Sequence, residues 1–148
     1  MKLRATVNGQ PCELDVEATS SLLDTLRKAG LTGTKEGCRI GVCGLCTVLV
    51  NDAPVSSCLY LAPCADGAEI WTVEGMAEAE PHLVQAFVEK EAMQCGICTP
   101  GQVMTAAAAR RQGVPATDAD IRRYLEGSLC RCTGYRTIVD AVKTYLAH

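Results

Sequence analysis

Aromatic residues are scarce in this chain, with one Trp, one Phe and four Tyr among 148 residues. So few rings cannot supply the row of stacking side chains on which single-stranded nucleic acids bind. The chain also lacks an excess of positive charge, because its formal net charge at pH 7 is −3. A nucleic-acid-binding surface needs a basic face that neutralises phosphates. The composition therefore argues against nucleic acid as a partner.

Long apolar runs are missing as well. Apolar residues make up 48% of the chain, enough for a globular core, but no stretch is long enough to span a bilayer. The opening residues 1–7 alternate like a strand and lack the apolar run of a secretory signal. We therefore expect a cytoplasmic protein without a membrane span; export to the periplasm together with a signal-bearing partner is the alternative. Neither a dinucleotide-binding fingerprint nor a P-loop occurs in the sequence.

Cysteine, in contrast, is abundant, with ten residues. Eight of them form two quartets, and the first has the C-x4-C-x2-C…C spacing of a plant-type [2Fe–2S] site. The tight spacing of Cys130 and Cys132 suits a shared metal better than separate disulfides. The first quartet does not have the paired C-x2-C knuckles of zinc sites, whereas Cys95-x2-Cys98 alone also fits a zinc knuckle or a redox dithiol. The predicted metal ligands are Cys38, Cys43, Cys46 and Cys58, and Cys95, Cys98, Cys130 and Cys132.

The first half of the sequence predicts strands and one helix. Asn8-Gly9 is a hairpin signal between strands at residues 3–7 and 12–16. Ser21 opens a helix that ends at Gly30. Further strands are predicted at residues 47–50, 55–58 and 70–73.

From about residue 82 the apolar spacing becomes helical. Thr99-Pro100 predicts a helix start, and Gly113 its end. Other helices are predicted from residue 82, from Thr117 and, capped by Thr133, near the end of the chain. The sequence thus predicts an α+β protein with a strand-rich domain at residues 1–76, a linker near 75–81 and a four-helix bundle at 77–148.

The loops around the cysteines predict an environment for an anionic cluster. Positive φ angles at the loop glycines would turn backbone N–H groups toward the sulfurs, and such donors tune the redox potential of a cluster. Cys98 precedes a predicted helix N-terminus, where partial positive charge favours the thiolate, and Cys130 and Cys132 precede another. The loop glycines are Gly37, Gly41 and Gly44, and the side chains expected to shield the cluster from water are Ile40, Val42 and Leu45.

Three segments resemble the xanthine oxidase, or molybdenum hydroxylase, family. Residues 36–48 (EGCRIGVCGLCTV) resemble the first-cluster loop of that family, and residues 94–101 (QCGICTPG) and 129–135 (LCRCTGY) match its second-cluster motifs. The resemblance extends over the whole chain. Leu45 stands where alanine is usual and Ile97 where phenylalanine is common, but both remain apolar and bear on local packing and redox potential, not on cluster binding.

This resemblance implies the small iron–sulfur subunit of a multi-subunit bacterial enzyme. It implies a plant-ferredoxin-like β-grasp domain followed by a four-helix bundle, each holding one [2Fe–2S] cluster. Molybdopterin, in its cytosine dinucleotide form, would lie in a large partner subunit, in contact with Gln94 and near the cluster ligand Cys132. Substrate oxidation would take place in that partner. Electrons would pass through the second cluster and then the first to an FAD subunit or a cytochrome.

Two other functions remain open at the level of sequence. A free-standing di-cluster ferredoxin would have no fixed enzyme partner and would gain from an evenly polar, acidic surface. A zinc-stabilised interaction module would have no redox role, and metal analysis separates it from the other two. Gln94 has its own alternative, a local hydrogen bond to the backbone at a helix end.

Several residues fall outside these motifs. Cys12 and Cys64 are expected to be buried free thiols that behave as small apolar side chains. His82 and His148 are not interleaved with the cysteines as a Rieske centre requires. The arginine pairs 110–111 and 122–123 are expected on solvated helix faces.

Overall fold

The computed structural model describes the whole chain, Met1–His148. A five-stranded mixed sheet forms its N-terminal half, in the strand order β2-β1-β5-β3-β4. β1 runs parallel to β5, and the other neighbouring strands are antiparallel. Asn8 and Gly9 turn the first hairpin with positive φ angles, as predicted. The strands are β1 (Lys2–Val7), β2 (Gln10–Asp15), β3 (Thr47–Val50), β4 (Ala53–Ser56) and β5 (Glu69–Trp71).

One helix, α1 (Leu22–Lys28), packs against the sheet. Ser21 caps it, because its Oγ accepts a hydrogen bond from the Asp24 amide at 3.1 Å. Leu22 and Leu26 are fully buried against apolar side chains of the sheet. The core on this side of the sheet is aliphatic, as the scarcity of aromatic residues requires.

Five helices make up the C-terminal half. The central one, α4, is buried at every position from Gly101 to Ala109, and its run of alanines lets the neighbouring elements approach closely. The helical core also reaches the sheet, because Leu49 of β3 belongs to it and Trp71 packs against it. None of the helices combines the length and apolar character needed to cross a bilayer. The helices are α2 (Val73–Ala79), α3 (Pro81–Glu89), α4 (Thr99–Arg111), α5 (Asp118–Tyr124) and α6 (Arg136–Leu146).

The α+β class is confirmed, but the predicted linker near 75–81 is wrong, because α2 occupies most of it. Tertiary packing explains the helix. Met76 is completely buried in the helical core, and Gly75 lies so close to Asn8 that an added Cβ would overlap that side chain. The predicted strand at 70–73 accordingly ends at Trp71, where α2 is about to begin.

Arg110 is exposed, as expected, whereas Arg111 is half-buried and does not lie on a solvated helix face, contrary to expectation. The Arg111 guanidinium lies over the Trp71 ring, 5.5 Å from its centroid, and forms ion pairs with Asp52 and Glu80. Arg110 lies over the Tyr145 ring at 4.6 Å. Arg111 therefore ties α4 to the sheet. Arg122 and Arg123 are exposed, as expected.

Candidate metal centres

The first cysteine quartet surrounds the loop that leads from α1 into β3. The Cys38 amide donates to Cys43 Sγ and the Cys43 amide to Cys38 Sγ, both at 3.4 Å. Cys46 lies just before β3 and Cys58 just after β4, and burial together with the neighbouring Cys58 thiol raises the pKa of the Cys46 thiol. The structure thus places the four cysteines of this quartet in two close pairs, Cys38 with Cys43 and Cys46 with Cys58.

Backbone N–H groups converge on the sulfur of Cys38. The amides of Ile40 and Val42 donate to it at 3.4 Å, in addition to that of Cys43. These donors, Ile40 foremost, lower the pKa of the Cys38 thiol to about 6. Gly41 adopts a positive φ of 75°, as predicted, and turns the loop around the sulfur. Such a concave set of N–H groups stabilises an anion, which fits thiolates on an iron–sulfur cluster.

Arg39 holds this loop in place, and the sequence analysis did not identify it. Its guanidinium donates to both carboxylate oxygens of Asp24, at 2.7 and 3.2 Å, and to Glu36. Hydrogen bonding from Arg39 lowers the pKa of the Asp24 carboxyl, with Ser21 adding to the effect. Arg39 also adopts a positive φ of 55°, which is unusual for a residue with a side chain. No local pattern links residues that lie so far apart in sequence.

The expectation that this loop shields its own site from water is wrong for two of the three side chains. Ile40 is 68% exposed and Val42 55% exposed, while Leu45 is half-buried. They point outward because the N–H groups of the loop face the sulfur. With the exposed Leu59, which lies against Gly41, they form what we call the apolar collar, which consists of Ile40, Val42 and Leu59.

The second quartet has the same pairwise arrangement. Cys95 Sγ and Cys132 Sγ lie 3.5 Å apart, and the Cys130 thiol is close enough to Cys98 to affect its pKa. In neither quartet do three sulfurs converge on one point, as the ligands of a single ion would. Two thiolates for each of two irons is the arrangement of a [2Fe–2S] cluster with four cysteine ligands. Cys98 is buried, whereas Cys95 and Cys132 are exposed.

Burial, and not the helix end, dominates the acidity of Cys98. Loss of solvent raises the pKa of its thiol to about 12, and the neighbouring Cys130 adds to this. The position of Cys98 at the start of α4, expected to favour the thiolate, is therefore outweighed by burial. At Cys130, burial acts to raise the pKa, but hydrogen bonds from Thr133 and the Cys132 amide outweigh it, and the net pKa is lowered.

Thr133 is not the cap of the last helix, contrary to prediction. The cap is Tyr135, which has a positive φ of 68°, and α6 begins at Arg136. The Thr133 hydroxyl instead donates to Cys130 Sγ at 3.2 Å. The Tyr135 hydroxyl accepts a hydrogen bond from the Cys130 amide at 3.1 Å. These two side chains therefore orient Cys130, a role that the sequence did not suggest.

The two quartets lie next to each other. The Leu129 amide, next to Cys130 in the chain, donates to the carbonyl oxygen of Cys43 at 2.9 Å. Behind this contact, Gly101 of α4 lies directly against Gly44, and a Cβ on Gly101 would overlap the Gly44 carbonyl oxygen. One short hydrogen-bonded path therefore connects the two cysteine loops.

Gln94 lies on the surface beside the second quartet. It is exposed and has no hydrogen-bond partner within the chain, so its alternative role in a local backbone hydrogen bond is not realised. Three exposed apolar side chains belong to the same segments as the exposed cysteines: Met93, Ile97 and Leu129.

The two remaining cysteines differ from each other. Cys12 is half-buried against the sheet core, and burial raises the pKa of its thiol. Cys64 is exposed, so the expectation that it is buried is wrong. Its short 3₁₀ turn directs Ala62 and Ala65 into the core and leaves Cys64 facing out.

Two family models match successive parts of the chain. Residues 5–70 match a 2Fe-2S iron-sulfur cluster binding domain, and residues 72–143 match a [2Fe-2S] binding domain. The xanthine dehydrogenase iron-sulfur-binding subunit of Escherichia coli O157:H7 is 46% identical over 144 residues, which cover 95% of this chain and 91% of that subunit. The nicotinate dehydrogenase small FeS subunit of Eubacterium barkeri is 45% identical over 144 residues, which cover 95% of this chain and 92% of that subunit.

Solved structures agree. Quinoline 2-oxidoreductase from Pseudomonas putida 86 contains a chain that is 43% identical, with a TM-score of 0.93 over 99% of this chain and 94% of that one. Aldehyde oxidoreductase from Desulfovibrio gigas matches with a TM-score of 0.93 at 37% identity, and there the match covers 17% of a longer chain. The chain belongs to the iron–sulfur subunits of the xanthine dehydrogenase and aldehyde oxidoreductase family. As a member of this family, it is the electron-transfer subunit of an oxidoreductase with two [2Fe–2S]-binding domains.

Proposed function

We propose that each quartet holds one [2Fe–2S] cluster, with the close pairs of thiols sharing an iron. The pairwise approach of the sulfurs is the observation that carries this assignment. In the first site the pairs are Cys38 with Cys43 and Cys46 with Cys58, and in the second they are Cys95 with Cys132 and Cys98 with Cys130.

When bound, each cluster takes up and releases one electron at a time. The chain provides the environment for that change. The N–H groups on Cys38 Sγ stabilise negative charge at the first site, and the Thr133 hydroxyl on Cys130 Sγ does so at the second. The hydrogen bond from Leu129 to Cys43 supplies a short path between the sites.

We propose that a large molybdopterin-binding subunit covers the exposed side of the second site. The side chain of Gln94 has no hydrogen-bond partner in this chain. Gln94 precedes Cys95, and the exposed Cys132 lies against Cys95, with their sulfurs 3.5 Å apart. Exposed apolar side chains around them would be buried by a partner. Gln94 would hydrogen-bond the cofactor of that subunit, in its cytosine dinucleotide form, and Cys132 would be the ligand nearest to it. Substrate chemistry then takes place in the partner.

The apolar collar gives the first site a second docking face. Ile40 and Val42 are exposed immediately beside the ligands Cys38 and Cys43. We propose that an electron acceptor, an FAD subunit or a cytochrome, docks there. Electrons then enter at the second site and leave from the first.

Two structural details belong to the same proposal. Helices α3 to α6 act as a four-helix bundle that encloses the second site, in a unit of residues 77–148. Residues 1–76 form the ferredoxin-like unit, and α2 is packed against both, through Gly75 on Asn8 and Met76 in the helical core. We propose the cytoplasm as the compartment, since the two cysteines outside the quartets, Cys12 and Cys64, form no disulfide, which suits a reducing environment.

A free-standing di-cluster ferredoxin is the alternative function. Such a carrier would gain from an evenly polar surface around its clusters. Here, exposed apolar side chains lie beside both sites, which favours a subunit with fixed partners.

The test uses Gln94→Ala in the assembled complex. We expect both clusters to assemble and dithionite to reduce them at the normal rate, while reduction by substrate slows. Removing one partner of a buried hydrogen bond costs about 1–3 kcal/mol, enough for a clear change in cofactor retention or turnover. Stopped-flow bleaching of the iron–sulfur absorbance measures both rates.

Gln85→Ala is the matched control, because Gln85 is exposed on α3 and bonds only to Glu89. It is expected to leave both rates unchanged. Wild-type bleaching by substrate together with full pterin content in Gln94→Ala would show that Gln94 does not contact the cofactor.

A further inference from the structure

A buried glutamine lies where the two cysteine loops meet. Gln102, on the first turn of α4, is 1% exposed. Its Nε2 donates to the backbone carbonyl of Ser128 at 2.9 Å. Its Oε1 is buried without any hydrogen-bond partner. Burying a polar atom without a partner lowers the free energy of unfolding, and an apolar residue of the same size would avoid that cost. The presence of glutamine here therefore indicates a role for its one hydrogen bond.

Ser128 is held from two sides. Besides the bond from Gln102 to its carbonyl, its Oγ lies 3.0 Å from the hydroxyl of Thr105, one turn further along α4. Thr105 in turn donates to the Gly101 carbonyl at 2.9 Å. Ser128 is itself 4% exposed. Helix α4 thus holds the Ser128 carbonyl and side chain by buried hydrogen bonds, while the Ser128 amide donates to the Leu125 carbonyl at 2.9 Å.

Fixing Ser128 also fixes the next residue, Leu129. The Leu129 amide makes the only hydrogen bond that joins the loop of the first quartet to the segments of the second, on the Cys43 carbonyl. Leu129 has no comparable anchor of its own, since its side chain is 46% exposed. The peptide unit between Ser128 and Leu129 presents its carbonyl to Gln102 and its amide to Cys43, so the two bonds act on opposite ends of one rigid plane.

We infer that Gln102 is a positioning residue for electron transfer between the two sites, because it holds the Ser128–Leu129 peptide so that its amide meets the Cys43 carbonyl. The inference rests on the proposed cluster ligands Cys43 and Cys130. The step moves one electron and no proton, so that the second site is oxidised by one electron as the first is reduced by one. Gln102 contacts neither quartet's thiols; it acts only through Ser128.

Gln102→Met tests this in the assembled, cluster-loaded complex. Methionine has a similar length and volume but cannot donate to the Ser128 carbonyl. Loss of one net hydrogen bond is expected to raise the open population of the Leu129 contact roughly two- to tenfold. Hydrogen exchange, followed by mass spectrometry on peptides that span residues 125–131, is expected to accelerate by that factor. The rate of intersite electron transfer after pulse radiolysis is expected to fall several-fold, with both clusters present.

Gln112→Met is the matched control. Gln112 caps the other end of α4 and accepts a hydrogen bond from the Tyr124 hydroxyl at 2.8 Å, without touching Ser128. It is expected to keep wild-type exchange at residues 125–131 and a wild-type intersite rate. If Gln102→Met does not assemble, Ser128→Ala removes only the contact with Thr105, and a smaller change in the same direction is expected.

The outcomes separate the inference from the proposed function. Wild-type exchange and a wild-type intersite rate in Gln102→Met overturn the role of Gln102. If Ser128→Ala has to be used instead, the same result overturns the dependence of the Leu129 contact on a fixed Ser128, through which alone Gln102 would act. Faster exchange with an unchanged rate also overturns it, because the contact then does not carry the electron. Absence of two [2Fe–2S] clusters from the unsubstituted complex would instead overturn the proposed function itself.

Discussion

Gly101 of α4 lies directly against the backbone of Gly44, so that a side chain on Gly101 has no space to occupy. The contact presses the helix of the second site onto the loop of the first. It also places Gln102 and Thr105 of the same helix beside Ser128. The relative position of the two proposed redox sites therefore requires glycine, which has no side chain, at position 101.

Gly101→Ala is expected to destabilise the chain by about 1–3 kcal/mol, because the new methyl group overlaps backbone that cannot rotate away. The destabilisation is measured as a decrease in the thermal unfolding midpoint of the cluster-loaded chain. Gly127→Ala is the control, since Gly127 is close to the same contact but a Cβ there meets nothing within 4 Å. Equal midpoints for the two variants would contradict the close approach of α4 and the first loop.

Arg39→Gln is expected to make the redox potential of the first cluster more negative. The substitution removes a positive charge and leaves Asp24 and Glu36 uncompensated near the loop. It also releases the loop whose N–H groups donate to Cys38 Sγ. Those hydrogen bonds stabilise the reduced, more negative cluster, so weakening them shifts the potential in the same direction.

An EPR-monitored redox titration measures both potentials of this variant, and the second is expected to stay unchanged. Arg122→Gln, a change at an exposed arginine of α5, serves as the control. An unchanged first potential in Arg39→Gln would show that the contact with Asp24 does not support the cluster loop.

Arg111→Ala is expected to lower stability by about 1–2 kcal/mol, because it removes the cation–π contact with Trp71 and two ion pairs of a partly buried side chain. For a chain of this size the unfolding midpoint would fall by about 2–8 °C. Arg123→Ala, at an exposed position, is expected to change stability by less than about 0.5 kcal/mol. If both variants unfold at the same temperature, Arg111 does not hold α4 to the sheet.

Cys43→Ser is expected to abolish one cluster and leave the other, because it changes the side chain and keeps the carbonyl that accepts from Leu129. Cys130→Ser is expected to abolish the other cluster and to weaken the contact with the large subunit. EPR of the reduced proteins and gel filtration of the complexes measure these effects. Loss of both signals in either soluble, folded variant would contradict the two-site assignment.

Local sequence patterns predicted the hairpin at Asn8-Gly9, the capped helix after Ser21 and the positive φ angles of Gly41 and Gly44, but the same expectation for Gly37 is wrong. They did so because turn and cap preferences depend on neighbouring residues only. The spacing of the cysteines predicted both quartets, since ligand spacing is also a local property. Where each sulfur is paired was not predicted, because Cys46 and Cys58, or Cys95 and Cys132, meet only in the folded chain.

The features that sequence analysis missed depend on tertiary packing. Helix α2 forms because Met76 is buried and Gly75 fits against Asn8, although its residues resemble a linker. The contacts of Arg39 with Asp24 and of Gln102 with Ser128 join residues distant in the chain. Thr133 bonds to the nearby Cys130 because the turn before α6 folds back on it. The outward direction of Ile40 and Val42 likewise follows from amides that turn inward to a sulfur.

The most direct test of the account is metal and sulfide analysis of the purified chain, combined with quantitative EPR after reduction. The account predicts about four irons and four acid-labile sulfides per chain, and two distinct signals that each integrate to about one spin per cluster. About two zincs per chain without sulfide, or a single signal of one spin per chain, would contradict it.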